Sequence, residues 1–169
     1  MPTGALVAVN RTEHPCVLEA AKFFFGERVV WLEVDRHGVI AMGPLEKLLA
    51  SKAIGAVVIM AANNETGVLQ PWRELAWLCR RHHAAFFCDA SQWLGKLPAA
   101  GLGEADWVIG SAHKFGGPKG VGFVLAAEGA QMIAEPFAAR VEIDGEAGFA
   151  PSGDPEIDQR RQIGLDKVA

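Results

Sequence analysis

Tyrosine is absent from the 169 residues, and cysteine is scarce, with only Cys16, Cys79 and Cys88. Three thiols without a C-x-x-C pair make neither a disulfide framework nor a zinc site. They read as reduced thiols of a cytoplasmic protein, two of them filling a core. No apolar run reaches the ~18 residues that cross a bilayer. Met1-Pro2-Thr3-Gly4 lacks the basic start and apolar stretch of a secretion signal. A membrane partner is therefore not expected. There is no basic excess either: 16 Lys and Arg face 20 Asp and Glu, for a net charge of −4. That balance argues against a nucleic-acid partner. Neither G-x-G-x-x-G nor G-x-x-x-x-G-K-[ST] occurs, which excludes the two common nucleotide-binding loops. His82-His83 has no acidic, Cys or His partner at ligand spacing, so it reads as a solvated helix end and no metal is expected.

What is present suits one packed domain. Half of the residues are hydrophobic and 21% are charged, enough apolar material for a core at this length. Apolar runs alternate with helical patterns. Residues 5–10 (ALVAVN), 28–34 (RVVWLEV), 53–60 (AIGAVVIM), 84–88 (AAFFC), 106–110 (DWVIG) and 121–126 (VGFVLA) read as strands. Residues 15–25, 44–50 and 71–83 read as helices, each opening at or near a proline. The spacing predicts an α/β fold: a three-layer α/β/α arrangement on a mostly parallel sheet. The pattern decays after about Gly129. Residues 1–135 are expected to form the domain core. Residues 136–169 are expected to be a tail or the start of a further domain, with one helix near Glu156–Lys167.

Open α/β sheets bind ligands at the C-terminal ends of their strands. Four of the runs end in polar residues. Arg11, Thr12, Glu13 and His14 follow the first, and Asn63, Asn64, Glu65 and Thr66 follow the third. Asp89, Ser91 and Gln92 follow the fourth, and Ser111, His113 and Lys114 the fifth. Any one of these residues is as readily a cap or a surface group, but together they converge on one rim. Lys114 stands at the centre. A lysine amine held among apolar walls can lose its proton and form a Schiff base with a carbonyl. The glycines of Phe115-Gly116-Gly117-Pro118-Lys119-Gly120 let the backbone fold closely around a ligand. Asp89 then serves as the carboxylate that keeps a pyridine nitrogen protonated.

Three motifs in order carry a resemblance: Asn63-Asn64-Glu65-Thr66-Gly67; Asp89-Ala90-Ser91-Gln92 with Gly95-Lys96-Leu97-Pro98; and Ser111-Ala112-His113-Lys114 with Gly117-Pro118-Lys119-Gly120. With Thr12-Glu13-His14 ahead of a helix, the chain resembles the class V aminotransferases of fold type I. Within them it is similar to the cysteine desulfurase and selenocysteine lyase branch, over roughly residues 5–127. The resemblance implies pyridoxal 5′-phosphate as cofactor, cysteine or selenocysteine as substrate, and a homodimer. It implies Lys114 as the lysine that holds the cofactor covalently and Asp89 as the partner of its ring nitrogen. Gln92 and Asn64 would stand near the phenolic oxygen, Ser111 and His113 would bind the phosphate, and His14 would stack on the ring and handle protons. It also implies that the strand at 121–126 runs antiparallel to its neighbour.

Three parts of the family pattern find no match: a glycine/threonine loop that cradles the phosphate, an arginine for the substrate carboxylate, and a sulfur-accepting cysteine on a mobile loop. Weak cofactor binding and no turnover are the expectations for these residues alone. The rival readings are a folded relic acting as a binding module, and another class V aminotransferase. The apolar edge at Val121–Ala126 is expected to be covered, either by the 136–169 tail through Val141-Glu142-Ile143 or by a second chain.

Overall fold

The computed structural model describes residues 4–127, and the expectations for 136–169, including the helix near Glu156–Lys167 and the strand at Val141–Ile143, lie outside them. Within the described residues, six strands form one sheet: β1 (Leu6–Asn10), β2 (Val29–Leu32), β3 (Ile54–Met60), β4 (Ala85–Asp89), β5 (Trp107–Ser111) and β6 (Gly122–Ala126). Three helices connect them: α1 (Pro15–Phe25), α2 (Met42–Ser51) and α3 (Trp72–Arg81). The proline positions follow from the ring's fixed φ and missing N–H, which only a first helical turn tolerates. Pro15 opens α1, and Pro71 is the cap of α3. In α2 the helix starts two residues before Pro44, so the proline sits inside the first turn instead of opening it.

The strand order is β2-β1-β3-β4-β5-β6. The first four pairings are parallel and β5–β6 is antiparallel, so the sheet is mostly parallel with its last strand reversed. The chain steps outward from β1 to β2, then crosses back over β1 to β3 and continues the other way. The switch point therefore falls between β1 and β3, where loops leaving the two strands diverge and open a crevice. Asp89 and Ser111 belong to β4 and β5 as their last residues, one position beyond the runs read from sequence.

Alternation along each strand splits the core into two layers. On one face Ala8, Val57, Ile59, Phe86, Cys88 and Val108 pack against α2 and α3 through Leu45, Leu49, Trp72, Leu75, Leu78 and Cys79. On the other, Val7, Val9 and Ala56 pack against Ala21, Val17, Leu18 and Phe25 of α1. Two polar side chains, the buried Gln70 and the half-buried Asp106, staple the loops. Gln70 donates from Nε2 to the Gly38 carbonyl at 2.7 Å and accepts the Ile40 amide at 2.9 Å. Asp106 accepts the Phe86 amide at 2.8 Å, tying the start of β5 to β4. Among the described residues β6 is an edge strand, with Val124 60% and Leu125 57% exposed.

Candidate functional site

Because β1, β3, β4 and β5 run parallel, the loops after them emerge on one rim. Asn10 ends β1 and turns the chain, accepting the Thr12 amide at 3.2 Å and donating to the Thr12 hydroxyl at 2.9 Å. His14 then caps α1. Its Nδ1 accepts the Cys16 amide at 3.3 Å, and Cys16 Sγ lies 3.0 Å from the same nitrogen. The ring is thus fixed by its own helix through Nδ1. Pro15 follows the cap and makes the turn into α1 stiff.

After β3 the two neighbouring asparagines divide the work. Asn63 donates to the Thr12 carbonyl at 2.8 Å and accepts from the Glu65 and Thr66 amides and the Thr66 hydroxyl. Its side chain is spent on shaping the loop and tying it to β1. Asn64 is exposed and makes no side-chain hydrogen bond among the described residues, which leaves its amide to a ligand.

Asp89 ends β4, opposite Met60 of β3 and Ile109 of β5. One carboxylate oxygen accepts the Ser91 amide at 2.8 Å, and no bond to the other is found among the described residues. Gln92, by contrast, is engaged: its Oε1 accepts from Lys96 Nζ at 2.6 Å. After β5, Ser111 Oγ lies 2.9 Å from His113 Nδ1, pairing a hydroxyl with an imidazole. Lys114 closes a 3-10 turn over Ala112–Lys114. The Gly117 amide donates back to the Ala112 carbonyl at 2.9 Å. A Cβ on Gly117 would lie 2.8 Å from that of Ala112, so the tight return requires glycine.

One expectation is overturned. Lys114 is exposed, and no apolar wall closes over its amine among the described residues. Lys114 ends the 3-10 turn Ala112–Lys114, whose neighbours His113 and Phe115 are exposed as well. A cavity of about 510 Å³ is lined by Arg11, Leu18, Lys22, Gly26, Glu27 and Trp31; of the polar residues that follow the strands only Arg11 lines it, and His14, Asn64, Asp89, Gln92, Ser111, His113 and Lys114 do not.

Glu13, a rim residue to which the sequence assigns no role, is 4% exposed. Its Oε1 accepts the Met60 amide at 2.6 Å, while Oε2 is buried without a partner. Burial pushes its carboxyl up to about 8; the Met60 bond opposes this, and the charge of Asp89 adds to it. Burial and the charges of Asp89 and Glu13 also push the Cys88 thiol up to about 12. Cys16 is raised by partial desolvation and then by Asp89. The sequence held one signal for Glu13: an acidic residue directly before a helix-capping histidine, at a position facing the neighbouring strand.

The donor set fits pyridoxal 5′-phosphate. A carboxylate with one free oxygen suits a ring N–H, the Ser111–His113 pair offers donors to a phosphate, and an exposed amine is available to an aldehyde.

The family model for class V aminotransferases matches residues 1–144. The chain belongs to this family. Among its class V relatives, a mitochondrial cysteine desulfurase of Eremothecium gossypii is 37% identical over 134 residues, covering 78% of this chain and 27% of the relative. A cysteine desulfurase of Klebsiella pneumoniae is 38% identical over 135 residues, covering 78% of this chain and 34% of the relative. The chain thus spans about a third or less of the length of these curated relatives. A solved NifS-like protein is 35% identical with a TM-score of 0.67, covering 75% of this chain and 36% of that one. DndA of Streptomyces lividans is 34% identical with a TM-score of 0.64, over 73% and 35% respectively. The class V chain has the fold type I sheet of these proteins. No described helix is long and apolar enough to cross a membrane.

Proposed function

We propose that this chain is the cofactor-binding part of a cysteine desulfurase-type enzyme, which takes sulfur from cysteine and leaves alanine. The observation that carries the reading is the free oxygen of Asp89 on a rim shared with Lys114, in a chain 35–38% identical to cysteine desulfurases. When bound, pyridoxal 5′-phosphate supplies the electron-accepting ring that weakens bonds at the amino acid's Cα.

The chain's own residues hold and orient that group. Asp89 keeps the ring nitrogen protonated, since an anion beside a pyridine favours its charged form. Ser111 and His113 bind phosphate oxygens. Asn64 would donate near the phenolic oxygen, with the Gln92 amide Nε2 beside it while Lys96 holds the Gln92 Oε1. His14, held through Nδ1, would stack on the ring and hand on a proton at Nε2. Lys114 Nζ would hold the cofactor covalently, and the free amine would be available to carry a proton. The reading includes a homodimer and a reducing aqueous compartment; Cys16, Cys79 and Cys88 are all free.

Titration of the purified chain with pyridoxal 5′-phosphate tests the reading. A band at about 390–430 nm is expected for the lysine-bound cofactor. With Lys114 and His113 exposed, affinity is expected to be micromolar or weaker. Absence of the band at millimolar cofactor, or its persistence in both Lys114→Ala and Asp89→Ala, would overturn the reading.

A further inference from the structure

We propose that Glu13 is a positioning residue of this site: its carboxyl clamps the loop that carries His14 to the end of β3, across the switch point between β1 and β3, and so fixes His14 relative to Asp89. The proposal rests on the functional reading above only for the identity of the cofactor.

The geometry carries it. Glu13 directly precedes the capping His14, and its Oε1 accepts the amide of Met60, the last residue of β3, at 2.6 Å. Met60 is in register with Asp89 on β4. One hydrogen bond therefore links the His14 loop to the strand position that faces Asp89. The Asn63 bond to the Thr12 carbonyl at 2.8 Å secures the same loop one residue earlier. The loop is held twice where the sheet topology would otherwise let it diverge.

The second oxygen shows what state the clamp is in. Glu13 Oε2 is buried with no partner, and a bare carboxylate oxygen there costs far more than a protonated one. The groups acting on Glu13 are Asn10 on β1, the Met60 amide on β3 and Asp89 on β4; Cys88 on β4 and Cys16 on α1 in turn feel its charge. No Lys or Arg is among them. A proton on Glu13 leaves Asp89 as the carboxylate presented to the ring nitrogen, and burial holds that proton up to about pH 8. A merely structural loop staple would not link the protonation of Glu13 to cofactor affinity.

The unfolded chain releases the Glu13 proton near 4.5, whereas the folded chain keeps it to about 8. The contribution of Glu13 to stability is therefore fully present below 4.5, is lost as pH rises through that window, and is level above it.

The test uses the whole chain as wild type, Glu13→Gln and Glu13→Ala. Glutamine keeps an oxygen for the Met60 amide but has no proton to lose. Unfolding of the cofactor-free chains is followed from pH 4.5 to 9.5. Wild-type stability is expected to fall relative to Glu13→Gln up to about pH 8 and then run parallel to it. In pyridoxal 5′-phosphate titrations at pH 7, Glu13→Gln is expected to rescue affinity to within about threefold of wild type, and Glu13→Ala to lose about tenfold or more. Between pH 7 and 9.5 the wild-type to Glu13→Gln affinity ratio is expected to fall by about tenfold. Parallel stability profiles throughout, or a flat affinity ratio, would overturn the proposal, as would a folded Glu13→Ala that binds as wild type. If Glu13→Ala does not fold, the Glu13→Gln comparisons decide alone. If no chain binds the cofactor, the functional reading fails, and parallel or divergent cofactor-free profiles still decide against or for the proton on Glu13.

Discussion

Gly95 and Phe115 touch so closely that a Cβ on the glycine would lie 2.5 Å from the Cβ of the phenylalanine. This contact packs the loop after β4 against the residue that follows Lys114. Gly95 also has φ +74°, a conformation that strains any L side chain. Gly95→Ala is expected to cost about 1–3 kcal/mol of stability from overpacking and backbone strain. It should weaken cofactor binding as well, because Lys114 moves with Phe115. Urea unfolding with a midpoint equal to that of wild type would contradict this.

The three thiols differ in access. Cys79 and Cys88 are fully buried, and burial pushes both up to about 12, while Cys16 is exposed. Thiolate is the reacting form, so iodoacetamide on the native chain at pH 8 is expected to label Cys16 alone. Desolvation and the charge of Asp89 raise Cys16 too, so its rate should fall below that of free cysteine. Asp89→Asn should speed it. Mass mapping that finds Cys88 labelled as fast as Cys16 would contradict the packing described.

Asp106 holds β4 and β5 together at their N-terminal ends through the Phe86 amide. Asp106→Ala leaves that amide without its acceptor. A loss of about 1–3 kcal/mol is expected. Amide exchange should accelerate at Phe86, and unchanged protection there would count against this role.

The β6 edge presents Val124 and Leu125 to solvent and has no blunting charge or proline within Gly122–Ala126. Such an edge pairs with other strands. The chain is expected to self-associate at micromolar concentration, and Val124→Lys to reduce this. Sedimentation showing identical distributions for the two would refute the edge as the contact.

Much of this was legible from local pattern. The continuous apolar run ending at Met60 identified a strand covered on both faces, and its neighbours read likewise. The polar residues after the runs gave the rim, because parallel strands bring their ends together whatever the details of the loops. What was not legible depends on tertiary distance. Glu13 looked like one more loop acid, and only the approach of β3 buries it. Asn63 and Asn64 are indistinguishable by type, yet one is consumed by the Thr12 carbonyl and its own turn while the other stands free. Lys114 reads from sequence as a lysine among apolar walls, yet it ends a short 3-10 turn with exposed residues on either side. Pro44 marked a helix start two residues late because proline is tolerated throughout the first turn.

The central claim is that Lys114 is the anchoring lysine. Lys96 is engaged with Gln92, and Lys119 lies beyond the turn that carries Lys114. Borohydride reduction of the chain mixed with pyridoxal 5′-phosphate, followed by peptide mapping, tests this directly. The pyridoxyl label is expected on Lys114 and is expected to be lost in Asp89→Ala. Label on Lys96 or Lys119 in its place, or spread evenly over surface lysines, would contradict it.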